Sequence, residues 1–223
     1  MKTIKRDQLT GVWSATPTPF DDRLRLDRSS LGRTVRHHLR LGVKGLFLAG
    51  TAGEGMCMPE EQRRQLVRDV VKHARGRLLV AVQTTDNSSA RVLDNIAMAR
   101  EDGADVAVVA QPLFFPNATD ARLEDYYTRI FEGSSLPIGL YDRGGHSAIS
   151  ISDKLLPRLL RHPRVRLVKD SSSDPARREI ALKARARRDE LVLLCGDEFR
   201  TAEYMLAGYD GLLLGGAIFN GYL

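Results

Sequence analysis

Apolar residues occur along this chain in short, nearly continuous runs. Eight such runs begin near Gly11, Gly45, Leu78, Val106, Pro137, Val165, Leu191 and Gly211, at intervals of 20 to 34 residues. A run without alternating polar positions is typical of a strand that is covered on both faces, as in a parallel sheet. The pattern therefore predicts eight buried strands.

Amphipathic helical patterns lie between these runs. Their start and stop signals are Pro59 and Gly76 for one helix, Ser88 or Ser89 and Gly103 for the next, and Asp174 with Pro175 for a third. Regular alternation of strand and helix favours a (β/α)8 TIM barrel that forms one domain over residues 1–223. An open doubly wound sheet is the alternative, but residues 15–20 lack the glycine-rich phosphate loop that usually follows the first strand of such a sheet.

The chain stops soon after its eighth predicted strand. Only residues 219–223 remain beyond that strand, so we expect the eighth helix and any later helical segment to be absent. Docking one helix buries several apolar side chains at about 1.5 to 3 kcal/mol each, which is a large part of the stability of a domain. Either the sequence is a fragment of a longer product or a partner subunit covers the bare strands.

Composition and charge limit the classes of partner. The formal charge is +6, with 27 arginines and seven lysines, but the arginines are dispersed over predicted helix faces and do not form a nucleic-acid patch. No apolar stretch or basic leader predicts a membrane span or a signal peptide, so we expect a cytoplasmic protein. Cys57 and Cys195 match neither a disulfide framework nor a zinc spacing. A small molecule is the expected partner.

Lys169 lies where the sixth strand should end, in the segment Val165-Arg166-Leu167-Val168-Lys169-Asp170. Successive strand residues point to opposite faces, so Asp170 is badly placed to neutralise it. A buried lysine without a counter-ion has a lowered pKa, and its neutral amine can attack a carbonyl carbon to form an imine. The alternative is a strand-end lysine whose stem packs on apolar surface while its ammonium reaches water.

Other polar residues follow further strands of the predicted barrel, and the carboxyl ends of barrel strands meet at one face, where barrel enzymes have their active sites. Strand two ends in Gly50-Thr51-Ala52-Gly53-Glu54, strand five in Leu140-Tyr141-Asp142-Arg143, and strand seven in Gly196-Asp197-Glu198. Backbone amides of a glycine-rich loop can bind a carboxylate, and a phenol can transfer protons. Together with a desolvated lysine, these groups predict carbonyl chemistry.

In these segments the sequence resembles the dihydrodipicolinate synthase and N-acetylneuraminate lyase family of class I, Schiff-base aldolases. The resemblance covers essentially the whole chain, and its motifs are residues 50–54, Leu140-Tyr141, residues 168–172 and Gly196-Asp197. It implies an imine between Lys169 and pyruvate or a longer 2-oxo acid, with Tyr141 as proton carrier and no metal or other cofactor.

The resemblance also implies roles for the residues around the lysine. Thr51 would hydrogen-bond Tyr141 and, with the amide of Ala52, help to hold the substrate carboxylate. The implied substrate-binding positions are Gly50, Ala52, Gly53, Arg143, His146, Gly196 and Leu213. A homo-oligomer, dimer or tetramer, is expected as well.

Three departures from the family pattern bear on the substrate. Ala52 replaces the second hydroxyl of the loop, and Leu113-Phe114-Phe115 lacks the tyrosine that in the synthases completes a proton relay across the subunit interface. His146 falls about where the synthases keep an arginine for the carboxylate of the aldehyde substrate. A neutral imidazole is a poor substitute for a guanidinium, which binds a carboxylate through two hydrogen bonds. A sugar-derived 2-keto-3-deoxy acid is therefore the predicted substrate, in cleavage or dehydration.

Three alternatives stay open. Arg143 could supply the missing charge, which would leave dihydrodipicolinate synthase itself as the function. The chain could also be a non-catalytic or degenerate barrel that binds a 2-oxo acid. A metal-dependent barrel enzyme could use the carboxylates at the same rim as ligands, namely Glu54, Asp142, Asp170, Asp197 and Glu198, although the lysine would then compete with the metal.

Overall fold

Eight parallel strands close into a barrel in the computed structural model, which describes residues 4–220. The strands are β1 Gly11–Ala15, β2 Gly45–Leu48, β3 Leu79–Gln83, β4 Val106–Val109, β5 Ile138–Asp142, β6 Val165–Asp170, β7 Val192–Cys195 and β8 Gly211–Leu214. Neighbours along the chain pair in order, and β8 pairs with β1. The eight apolar runs and the (β/α)8 TIM barrel that they predicted are confirmed.

Helices alternate with the strands around the outside of this barrel. They are α1 Arg6–Leu9, α2 Arg28–Leu41, α3 Glu60–Ala74, α4 Ser89–Glu101, α5 Asp120–Gly133, α6 Leu156–Leu160, α7 Pro175–Arg185, α8 Thr201–Leu206 and α9 Ala217–Asn220. Where the eighth helix of a barrel would follow β8, the described part of the chain contains only the short α9. Residues 221–223 of the predicted C-terminal segment lie outside the described residues.

The helices begin where the capping signals placed them. The side chain of Ser88 accepts a hydrogen bond from the Arg91 amide at the start of α4, and Asp174 accepts one from the Ala176 amide at the start of α7. Each acceptor satisfies a backbone donor that has no partner inside its helix. Pro175 occupies the first turn of α7, where its missing N–H costs nothing.

Apolar side chains form two layers. One lies between the strands and the helices, and the other fills the inside of the barrel. Because side chains alternate along a strand, Val168 belongs to the outer layer whereas Leu167 and Lys169 point into the barrel. Trp13 lies toward the amino ends of the strands, where its indole N–H donates to the carbonyl of Leu9 at 2.8 Å. Apolar side chains thus fill the barrel interior below the carboxyl ends of the strands.

No helix within residues 4–220 is long and apolar enough to cross a membrane.

Candidate active site

Lys169 lies inside the barrel near the end of β6, with only 6% of its surface exposed. Its amine is 4.5 Å from the centre of the Tyr141 ring and 5.1 Å from that of Phe47. Within residues 4–220 no carboxylate forms a salt bridge with it. Burial lowers the pKa of the amine below its ordinary value of 10.5, although the charges of Tyr141 and Glu198 act in the opposite direction. The site thus favours a neutral, nucleophilic amine.

Asp170 points away from Lys169, as the strand alternation predicted. Its carboxylate accepts hydrogen bonds from the hydroxyl of Tyr209 at 2.6 Å and from the amide and hydroxyl of Ser172. Burial raises the pKa of this carboxyl in spite of these donors. The neighbour that could have neutralised the lysine is therefore bound elsewhere.

Tyr141 faces Lys169 from the adjacent strand, since the two residues are paired in the register of β5 and β6. Burial is the largest single effect on its phenol and would raise the pKa. The Lys169 charge and hydrogen bonds with Thr51 and Ser171 outweigh burial, so the pKa of Tyr141 is lowered from its ordinary value of 10.0. A phenol with a lowered pKa beside an amine is suited to carrying protons.

The loop after β2 presents backbone donors next to this pair. Its turn is closed by hydrogen bonds from the amides of Gly53 and Gly55 to the carbonyl of Gly50. The amides of Thr51 and Ala52 donate to no acceptor in the described chain, and both residues are exposed. Gly53 is buried beneath them, where a Cβ atom would lie 2.9 Å from the carbonyl oxygen of Thr16. The loop therefore offers two free N–H groups to an anion.

Gly196 lies beside the lysine stem. A Cβ atom at this position would lie 2.2 Å from the hydroxyl of Ser171 and 3.0 Å from Cε of Lys169. Any larger residue would displace the lysine or the serine. The absence of a side chain at Gly196 thus allows the Lys169 stem and Ser171 to occupy their positions.

A cavity of about 230 Å³ opens above Tyr141 between the ends of β2 to β5. It is lined by Gly50, Thr51, Glu54, Gly55, Met56, Cys57, Gln83, Thr85, Ala110, Gln111, Leu113, Tyr141 and Arg143. Four of the predicted catalytic and binding positions, Gly50, Thr51, Tyr141 and Arg143, thus share one cavity. Lys169 does not line it, but the Lys169 amine lies 4.5 Å from the ring centre of the lining residue Tyr141.

Five predicted binding residues do not line this cavity, namely Ala52, Gly53, His146, Gly196 and Leu213. His146 is exposed on a turn after β5, and its backbone carbonyl accepts a 3.4 Å hydrogen bond from Arg143. Leu213 is fully buried in the inner layer of the barrel. Neither side chain lines the cavity. At the rim, half-buried Arg143 is the cation that lies where His146 was expected to act.

Sequence reasoning missed several polar cavity residues, chiefly Gln83, Thr85 and Gln111. Gln83 is the last residue of β3, and the other two lie shortly after the ends of β3 and β4. A polar residue that ends an apolar run was the signal used for Lys169. The same signal would have found Gln83.

Four of the five acidic residues proposed as metal ligands, Asp142, Asp170, Asp197 and Glu198, have other partners. Asp142 forms two hydrogen bonds with the buried guanidinium of Arg177, and Glu198 accepts the amides of Gly215 and Gly216 after β8. Asp197 accepts the hydroxyl of Ser173 at 2.8 Å. Within residues 4–220 no group of three or more His, Cys, Asp or Glu side chains is placed to hold a metal ion.

Comparison with known proteins identifies relatives along nearly the whole chain. A model of the dihydrodipicolinate synthetase family matches residues 8–220. The 4-hydroxy-tetrahydrodipicolinate synthase of Xanthomonas campestris pv. campestris is 30% identical over 205 residues, which are 92% of this chain and 67% of the relative. The N-acetylneuraminate lyase of Escherichia coli is 29% identical over 203 residues, or 91% of this chain and 68% of the relative.

Solved structures agree with these matches. A monomeric dihydrodipicolinate synthase variant superposes with a TM-score of 0.90 at 26% identity, over 97% of this chain and 72% of the other. The chain thus spans about two thirds to three quarters of the length of the proteins that it is similar to.

Proposed function

Since the chain belongs to the dihydrodipicolinate synthetase family of class I, lysine-imine aldolases and lyases, we propose that Lys169 forms an imine with the keto carbon of pyruvate or a related 2-oxo acid. The observation that carries this proposal is the buried amine of Lys169, which lies against the ring of Tyr141 and is paired with no carboxylate of residues 4–220. An uncharged amine at that position is a competent nucleophile.

In the proposed reaction the Lys169 amine attacks the keto carbon, and the carbonyl electron pair moves to oxygen. Tyr141 donates a proton to that oxygen, accepts one from nitrogen, and then protonates the departing hydroxyl, so that one water leaves and a protonated imine remains. The imine withdraws electrons from the bond beta to it, which can then be broken or made. No metal ion enters these steps.

The free amides of Thr51 and Ala52 would hold the substrate carboxylate. Thr51 lines the same cavity as Tyr141, so a short acid held by these amides would turn its keto carbon toward Lys169. The side chain of Thr51, which contributes to the lowered pKa of Tyr141, would keep the phenol oriented for proton transfer. Loss of the second loop hydroxyl at Ala52 weakens the carboxylate site by about 1.5 to 3 kcal/mol at most, because the amides remain.

Two second substrates are consistent with this site. A sugar-derived 2-keto-3-deoxy acid fits the uncharged polar wall formed by Gln83, Thr85 and Gln111. Dihydrodipicolinate synthase activity is the other candidate, and it is favoured by the names that most of the relatives carry. Arg143 supports it too, because its side chain lines the cavity and would bind the carboxylate of aspartate semialdehyde.

Borohydride trapping tests the imine. We expect incubation with pyruvate and borohydride to add a reduced pyruvyl group to Lys169, identified by peptide mass spectrometry. Lys169→Ala should abolish the adduct, whereas Lys183→Ala, which removes an exposed lysine from α7, should not. Absence of an adduct at Lys169 with several 2-oxo acids would refute the proposal, and EDTA-sensitive turnover would favour a metal enzyme.

A substrate panel separates the two second substrates. The synthase assay, with pyruvate and aspartate semialdehyde, is run beside cleavage and dehydration assays on hydroxylated 2-oxo acids. The Arg143→Ala variant is measured in the synthase assay and in the cleavage and dehydration assays. Efficient condensation that is lost in Arg143→Ala identifies the synthase. Turnover of a sugar acid without condensation identifies the lyase.

A further inference from the structure

Gln83 is a buried amide without a complete set of hydrogen-bond partners. Its side chain points into the barrel, because it follows inward-facing Ala81 by two residues in β3, and it is 8% exposed. Its carbonyl oxygen, Oε1, accepts no hydrogen bond from any described residue. A buried polar group in this condition is unfavourable, so natural structures seldom keep one unless a ligand or water completes it.

The neighbouring polar residues of the cavity are already engaged. Gln111 donates to Asp142 at 3.3 Å and accepts from Ser147 at 3.4 Å. The hydroxyl oxygen of Thr85 accepts the amide of Ala110 at 2.7 Å. Gln83 is therefore the cavity amide that remains available to a ligand.

We propose that Gln83 determines substrate specificity by hydrogen bonding to a hydroxyl group on the part of the 2-oxo acid that extends beyond the reacting bond. A carboxamide can accept from a hydroxyl through oxygen and donate to it through nitrogen, and rotation of its end by half a turn exchanges the two. Gln83 is uncharged, and it lines the same cavity as Thr51 and Tyr141. A hydroxylated chain satisfies it, whereas an alkyl chain leaves it unpaired.

This inference rests on the proposed function of the site and deepens it, since it names the residue that distinguishes a sugar-derived acid from an alkyl one. Gln83 acts here as a specificity residue and takes no part in proton transfer. A site that is built to hydrogen-bond a substrate group rejects analogues that lack the group, because its own polar atoms then stay unpaired.

The test compares two ligands of equal carbon number, 2-keto-3-deoxygluconate and 2-oxohexanoate, by titration calorimetry. Both are measured in the Lys169→Ala background, where neither imine formation nor turnover can occur. We expect the sugar acid to bind more tightly than 2-oxohexanoate. Adding Gln83→Met, which keeps the length of the side chain, should reduce the ratio of the two affinities about 10-fold.

Gln65→Leu, which changes a half-buried glutamine of α3 outside the cavity, is the matched control and should retain the original ratio. If Gln83→Met does not fold, Gln83→Leu replaces it. An unchanged ratio in the Gln83 variant would overturn the inference, and so would a sugar acid that binds no more tightly than 2-oxohexanoate. Trapping of pyruvate on wild-type protein is scored separately, so a failed imine and a failed role for Gln83 are distinguishable.

Discussion

At the scale of single residues, the chemistry depends on how Lys169 and Tyr141 change each other's protonation. The amine is buried and lacks a carboxylate partner, and the phenol lies against it from the next strand. Burial lowers the pKa of the amine, while the positive charge of the amine contributes to lowering that of the phenol. Each shift favours proton exchange at lower pH than the free groups would allow.

Replacing Tyr141 by phenylalanine should lower the turnover rate about 100-fold or more, since general acid–base groups contribute roughly 10²- to 10⁴-fold. The imine should still form slowly, because the Lys169 amine remains. Stopped-flow kinetics and borohydride trapping measure the two effects separately. Full activity of Tyr141→Phe would make Tyr141 a packing residue.

Thr51→Val should reduce the turnover rate, while binding of the substrate carboxylate persists through the backbone amides.

The pH dependence of stability should reveal the buried amine. Because the folded-state pKa of Lys169 is lowered, the unfolded chain binds more protons than the folded one between that pKa and 10.5. The contribution of Lys169 to the free energy of unfolding therefore rises with pH between these two values. We expect Lys169→Met to raise the melting temperature at pH 7, with a gain that shrinks as the pH approaches 10.5. A loss of stability at pH 7 would contradict a desolvated amine.

At the scale of elements, one buried ion pair joins the end of β5 to the start of α7. The guanidinium of Arg177 donates to both oxygens of Asp142, at 2.8 and 2.9 Å, and also to the carbonyl of Ile151. Asp142 directly follows Tyr141, so the pair anchors the strand end that carries the phenol. Neither residue of the pair lines the cavity, although Asp142 also accepts a hydrogen bond from the cavity residue Gln111 at 3.3 Å.

Removing the arginine leaves a buried carboxylate uncompensated. We expect Arg177→Ala to lower the free energy of unfolding by about 3 to 5 kcal/mol, as is typical when one partner of a buried pair is deleted. Arg129→Ala breaks an exposed pair with Asp125 in α5 and should cost less than about 1 kcal/mol. Urea denaturation of the two variants measures the difference. Equal costs would show that the Asp142 carboxylate is solvated.

At the scale of the whole molecule, apolar side chains remain exposed at the upper rim of the barrel. Leu113 and Phe114, after β4, are 56% and 68% exposed. The family resemblance of the sequence implies a subunit interface at this segment. Exposed apolar residues that adjoin one another are typical of protein contacts. We therefore propose that the chain forms a homo-oligomer through this rim.

Sedimentation velocity at several concentrations tests this assembly. We expect the wild-type chain to self-associate and Phe114→Asp to shift it toward monomer, because a charge would be desolvated in the contact. Leu24→Asp, at a position that is 77% exposed before α2, is the matched control and should not change the assembly. A wild-type chain that stays monomeric would refute the proposed interface.

The sequence by itself determined the number, order and approximate bounds of the strands, and it singled out Lys169 as the candidate for the reactive lysine. A strand that is covered on both faces must be continuously apolar, so each apolar run in the sequence marks the position of a strand. A lysine within such a run is therefore conspicuous. The orientation of Asp170 away from Lys169 followed from strand alternation alone.

Only the tertiary structure decided which strand-end residues share the cavity. Arg143 and His146 are three residues apart in sequence, yet Arg143 lines the cavity and His146 faces solvent. The hydrogen-bond state of Gln83 was equally invisible, because it depends on partners from other strands. Side-chain direction in loops and the pairing of buried polar groups are set by contacts between distant segments, and no local pattern records them.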